Sequence, residues 1–200
     1  MACAACGAPA TRWWWCWGAG ARRVRAAAED EFVRLVNRGA LHDDLQAAGR
    51  HGSAGLEVRF VVNRAWQKGM LGSARVGLQA ALRLKPESLL VLPVDHPAVR
   101  PATVRALAAA MKAALASYRG GPAKRRGSRG GGAAFAYALV PRYRRRRGHP
   151  LALSAALARA VIRDRQATDL SDAVRRNARL VGYLDCADPG VVRNRNTPEA

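Results

Sequence analysis

Residues 88–101 read SLLVLPVDHPAVRP. Four apolar residues, Leu89, Leu90, Val91 and Leu92, stop at Pro93; Asp95 and His96 follow, and Pro97 and Pro101 restrict the exit. A short unbroken apolar run, ended by a proline that cannot donate to a sheet ladder, predicts a strand buried on both faces. Strands of that kind belong to α/β sheets covered by helices on both sides. In such sheets ligands bind outside the carboxyl ends of the strands, which is where Asp95 and His96 stand. A polar turn that merely caps the strand is the alternative reading.

The flanking pattern supports the sheet. LEVRFVVN (56–63) reads as a strand entering a buried sheet, AWQKGMLGS (65–73) as a glycine-punctuated loop, and 73–84 as a helix that Pro86 ends. Pro101 suits the first position of a helix running to about Ser117, with Val104, Leu107, Met111 and Leu115 as its buried stripe. Residues 119–132, RGGPAKRRGSRGGG, read as a flexible basic loop, FAYALVP (135–141) as a strand, and RYRRRRGHP (142–150) as the loop after it. Helices at about 151–165 and 169–178 follow, then short strands LVGYL (180–184) and GVVRN (190–194). Ahead of these, 21–37 has the spacing of a helix, and 38–55 is a loop or short irregular helix with His42-Asp43-Asp44 in a solvated turn. Alternating strands and helices predict an open, mainly parallel α/β sheet.

Two hundred residues suffice for one domain with a core that needs no disulfide or metal. The net charge of +20 comes almost wholly from arginine, 30 against 4 lysines. Residues 119–147 hold ten of the basic side chains and no acid, a patch that attracts polyanions. Because the excess spreads along the chain, a compositional bias toward Arg, Ala and Gly also accounts for it. Cys3 and Cys6 have half of a zinc spacing with no second pair to complete it, and Cys16 and Cys186 stand alone. No run of eighteen apolar residues and no secretory signal is present, so a cytoplasmic location with no membrane association is expected.

An aspartate at a strand's carboxyl end can hold Mg²⁺, which prefers hard oxygen ligands. A loop such as KGMLGS (68–73) opening a helix can offer backbone N–H groups to a nucleotide. A basic rim completes a site for phosphate chemistry. Each feature alone is unspecific.

Their order is more informative. GMLGSARVGLQAAL (69–82), LLVLPVDHPAVRPATV (89–104), VPRYRRRRGHPLALS (140–154) and NRNTPEA (194–200) resemble the successive motifs of the molybdenum-cofactor cytidylyltransferase and guanylyltransferase group of NTP transferases. The resemblance implies a Rossmann-like, three-layer fold of the nucleotide-diphospho-sugar transferase type. It implies transfer of a nucleoside monophosphate, CMP from CTP favoured, to a phosphorylated acceptor such as molybdopterin, with pyrophosphate leaving and Mg²⁺ as cofactor. Asp95 matches the metal-binding aspartate, and Gly69, Met70, Leu71, Gly72 and Ser73 the loop near the nucleotide base. Arg147, Gly148, His149 and Pro150 match the acceptor side, with His149 joining Asp95 in the catalytic pair. His96 is read as motif context. A molybdoenzyme or its chaperone is the implied protein partner.

Two departures bear on competence. Where cytidylyltransferases show Asp-x-Asp-Thr-Pro, this chain has Asn194-Arg195-Asn196-Thr197-Pro198, so the second metal position falls to Asn196, an uncharged ligand. The glycine-rich loop that opens the family's sequences has no counterpart in residues 1–17. Residues 18–200 therefore form the NTP-transferase-like domain and 1–17 an atypical segment, with the first βα unit missing or altered. WWWCW (13–17) stands where a valine-rich strand is expected. Valine codons GTG read one base out of register give TGG, tryptophan, so a shifted frame or misplaced start before Gly18 is the expected origin. Large indoles in place of valines overfill a close-packed sheet, and strongly reduced turnover is expected. A catalytically impaired family remnant and a basic nucleic-acid-binding protein are the alternatives. No helix-turn-helix, zinc or RNP-type pattern supports the second.

Overall fold

The computed structural model describes residues 2–6, 12–17, 57–120 and 135–195. Its strands are β1 (Ala2–Cys6), β2 (Arg12–Trp17), β3 (Glu57–Val62), β4 (Ser88–Leu92), β5 (Tyr137–Tyr143), β6 (Arg146–Arg147), β7 (Leu151–Ser154) and β8 (Leu180–Asp185). The helices are α1 (Met70–Leu82), α2 (Pro101–Gly120), α3 (Ala155–Arg163) and α4 (Leu170–Asn177). The sequence-predicted helix at 21–37, the loop at 38–55, most of the basic loop and Asn196 lie outside the described residues.

One sheet of eight strands has the order β3-β2-β1-β4-β7-β5-β6, with β8 on the free side of β5. Strands β2, β3, β4, β5 and β8 run one way, and β1, β6 and β7 run against them. The expected α/β sheet is present and mixed: five strands share one direction, while β1 and β7 run against β4 between them and β6 runs against β5. Strand β1 pairs Ala2 with Leu92 and Cys6 with Ser88. Its carboxyl end therefore lies at the edge of the sheet away from Asp95.

Strand β4 explains the layering. Leu89 and Val91 face α1, α3 and α4 in one cluster with Leu78, Leu157 and Val174. Leu90 faces the other way, against Leu107, Met111 and Leu115 of α2. Both faces are covered, as the unbroken apolar run requires. Each buried Leu contributes roughly 2 kcal/mol by area.

Three local readings need correction. The segment 151–165 is not one helix: Leu151–Ser154 is strand β7, paired with both β4 and β5. The break comes at Ser154, whose hydroxyl oxygen accepts from the Tyr137 amide at 3.0 Å and the Leu157 amide at 3.2 Å while its O–H donates to the Phe135 carbonyl. One side chain thus ends a strand and caps a helix. GVVRN is not a strand, because Pro189–Val192 forms a 3-10 turn capped by Asp188. The loop RYRRRRGHP contains a hairpin, β5 to β6, with Tyr143 opposite Arg146.

The two residues between them, Arg144 and Arg145, have φ of 48° and 66°. A two-residue hairpin turn with both central residues left-handed favours Asn-Gly, since a Cβ there costs about 1–2 kcal/mol. Arg145→Gly is therefore expected to stabilise the fold by about 1 kcal/mol, raising Tm by about 2–4 °C. Differential scanning calorimetry checks this, and an unchanged or lower Tm would show that the turn carries no such strain.

Candidate active site

Strand β4 delivers Asp95. Pro93 ends the ladder, and its carbonyl accepts from the His96 amide at 3.3 Å, closing a turn around Val94 and Asp95. Asp95 is part-exposed, yet its Oδ1 is buried with no hydrogen-bond partner. His96 Nε2 stands 4.0 Å from that oxygen, too far to satisfy it. A buried carboxylate oxygen without a donor is costly unless something outside the chain completes it.

His149 arrives from the opposite direction. It lies two residues before Leu151, which pairs with Val91, so the start of β7 abuts the end of β4. The imidazoles of His96 and His149 meet at 4.7 Å between ring centres, tilted by 51°. Both Nδ1 atoms are buried and unpartnered. Burial, and then the neighbouring His96, push the His149 pKa down from 6.5 to about 4, against a smaller opposing pull from Asp95. His149 is accordingly a neutral imidazole at neutral pH. His96, read from sequence as motif context, is a buried member of this cluster.

The preceding glycine has a steric reason. A Cβ on Gly148 would collide with the Val191 carbonyl oxygen, and that same oxygen accepts from the His149 amide at 2.8 Å. Gly148 itself donates to the Pro141 carbonyl at 2.9 Å. Pro150 is fully buried behind them.

The carboxyl-terminal segment closes the site, held by a residue that sequence reading missed. Asp188 is 3 % exposed and accepts from the Arg100 amide (2.8 Å), the Thr103 hydroxyl (2.7 Å) and the Gly190 amide (2.9 Å). Burial raises its pKa, but these hydrogen bonds and the Arg100 guanidinium outweigh that and leave it lowered. The Asp-Pro-Gly run at 188–190 was the available signal, since Asp before Pro-Gly initiates turns. Beyond it, the Arg195 amide donates to the Asp95 carbonyl at 2.7 Å. Asn196, the expected second metal ligand, is the next residue and lies outside the described residues.

The expected nucleotide loop sits at the carboxyl end of β3. Gly69 has φ of 99° and ψ of 175°, a conformation open to glycine, and helix α1 starts at Met70. Asn63, buried and also missed from sequence, donates from Nδ2 to Ser73 Oγ at 3.0 Å and accepts the Ala65 amide at 3.0 Å. It ties the strand end to the first turn of the helix. Met70 is exposed, Gly72 and Ser73 half-buried, and Leu71 packs in the core, which leaves its backbone for any ligand. Strands β1 and β2 stand between β3 and β4, so this loop and Asp95 are roughly 14 Å apart along one edge, at ~4.8 Å per strand. The structure thus brings Asp95, His96, His149 and Arg195 together, with 69–73 farther along the same edge. Among the described residues no cluster of three or more His, Cys, Asp or Glu forms a metal cage.

Depression of the His149 pKa has a consequence for stability. Between pH 6.5 and about 4 the unfolded chain binds a proton that the folded chain does not. Stability is fully present above the unfolded value and falls with pH through that window, by at most about 1.4 kcal/mol per pH unit. Urea denaturation of the metal-free protein at pH 7 and pH 5 should show this loss, and His149→Asn should flatten it. An equal slope in the variant would contradict the assignment.

A family model described as the MobA-like NTP transferase domain matches residues 19–180. No curated protein matches the sequence. Among the described residues no helix is long and apolar enough to cross a membrane.

Proposed function

The chain belongs to the family of MobA-like NTP transferase domains, nucleotidyltransferases as a class, and from that premise we propose that it handles CTP, with CMP destined for a phosphorylated acceptor such as molybdopterin. The observation that carries the reading is the buried, unpartnered Oδ1 of Asp95 at the carboxyl edge of the sheet. Mg²⁺ fits that oxygen: it takes one or two protein carboxylates and keeps water and phosphate oxygens for its other positions, so no protein cage is needed. When bound, it supplies neutralising charge for the phosphates. Asp95 would hold it, with Asn196 as the second, uncharged ligand.

The chain's own groups have distinct tasks. The segment 69–73, with Gly69 permitting the turn and Asn63 bracing Ser73, presents the backbone N–H groups of the first turn of α1 to the nucleotide. Neutral His149 can accept or donate a hydrogen bond at Nδ1 without bringing a second positive charge, which suits an acceptor phosphate that must remain a nucleophile. In the reaction an acceptor phosphate oxygen bonds to the α-phosphorus and the bond to pyrophosphate breaks. Catalysis of this kind is positioning and electrostatics. Residues 1–17 hold no counterpart of the family's glycine-rich loop, and reduced turnover by this chain is part of the proposal. A molybdoenzyme or its chaperone is the protein partner this acceptor suggests.

Calorimetry with CTP, GTP and ATP in the presence of Mg²⁺ tests the reading. CTP should bind tightest, and Asp95→Asn should lower its Mg²⁺-dependent affinity about tenfold or more. Equal binding of the three nucleotides would remove the CTP assignment. Unaltered affinity in Asp95→Asn would remove the metal role, and rapid cytidylyl transfer would refute slow turnover. Salt-sensitive nucleic-acid binding with no CTP binding would favour the alternative instead.

A further inference from the structure

Arg142 and Arg147 face each other across the β5–β6 pair. Both guanidiniums lie over the ring of Tyr183 on β8, at 4.6 and 5.3 Å from its centre. The two arginines differ in how their charge is met. Asp185, directly across from Arg142 in the β5–β8 register, accepts from its Nε at 2.9 Å and its Nη2 at 2.8 Å. That two-pronged geometry neutralises Arg142. Arg147 is exposed, and among the described residues no carboxylate pairs with it.

An aromatic ring restrains a guanidinium while leaving its charge available. A carboxylate restrains it and cancels the charge. Arg147 stands immediately before Gly148 and two residues before His149, on the edge of the sheet that carries Asp95. A preorganised guanidinium matches phosphate oxygens with little further loss of freedom.

We propose that Tyr183 is a positioning residue that holds Arg147 ready to bind a phosphate monoester, while Asp185 withholds Arg142 from the same task. Assigning that phosphate to the acceptor, as opposed to the nucleotide, rests on the nucleotidyl-transfer reading above.

The test follows the Nε–Hε resonance of Arg147 in the full chain, identified by its loss in Arg147→Lys, during titration with inorganic phosphate at low ionic strength. The resonance should shift and saturate. Tyr183→Phe keeps the ring and should bind like the parent; Tyr183→Leu should bind about two- to fivefold more weakly, the size of an exposed cation–ring contact. Asp185→Asn should bind more tightly by a similar factor and bring Arg142 into the response, a gain that a merely structural Asp185 does not produce. An Arg147 signal that ignores phosphate, or equal affinity in Tyr183→Leu, overturns the proposal. Repeating the titration with saturating CTP and Mg²⁺ separates the sources. Phosphate binding that persists supports the acceptor, and displacement by CTP overturns that assignment in favour of the nucleotide. Phosphate binding with no CTP binding leaves the Arg147 site standing and removes the functional reading instead.

Discussion

A buried carboxylate holds this site in shape. Asp188 accepts two hydrogen bonds from the start of α2, through the Arg100 amide and the Thr103 hydroxyl, and one from its own turn, through the Gly190 amide. The first two fix the segment that follows Asp95. The third fixes the turn whose Val191 carbonyl receives the His149 amide, and from which the chain continues to Arg195 and the Asp95 carbonyl. Two loops 85 to 88 residues apart in sequence are joined by one side chain. A carboxylate so placed is stabilising because every acceptor direction in use is met by a donor; removal of one partner exposes the full desolvation cost.

That fixed frame surrounds polar atoms that are left open. Asp95 Oδ1, His96 Nδ1 and His149 Nδ1 are buried and unpartnered within one small region, and among the described residues no other buried side-chain nitrogen or oxygen lacks a partner. Local incompleteness inside a well-determined frame is what a ligand site looks like from the protein side. The charges agree with it. The chain carries +20 overall, a balance that attracts anions. His149, neutral at neutral pH, adds no further positive charge there.

Much of this was legible in the sequence because burial and chain direction leave strong periodic marks. The apolar run 89–92 fixed β4 and the placement of Asp95 after it, and Pro101 marked the start of α2. Other features were hidden for physical reasons. LALSAALARAV (151–161) is apolar at both periods, so strand and helix merge, and only the contacts of Ser154 separate them. The hairpin in RYRRRRGHP lacks the Asn or Gly that normally announces a left-handed turn. Asn63 and Asp188 act through partners ten and about eighty-five residues away, a relation no local pattern contains. His96 looked like motif context because its packing against His149 depends on β4 and β7 lying side by side.

Strand direction also bears on how well the site can work. Loops that leave β3, β4, β5 and β8 at their carboxyl ends all reach the edge that holds Asp95, since these strands share one direction. Strand β1 occupies a central place beside β4 but runs against it, ending at Cys6 opposite Ser88, the far end of β4. A phosphate-binding loop that followed this strand would emerge on the wrong side of the sheet. On the proposed reading, donors for a triphosphate include the backbone N–H groups at the start of α1. Flexible arginines can bind a polyphosphate in its ground state nearly as well as fixed amides can. They lose more order in following charge as it shifts onto the leaving pyrophosphate. Binding energy survives such an exchange better than rate acceleration does, because only donors already aimed at the transition state lower the barrier.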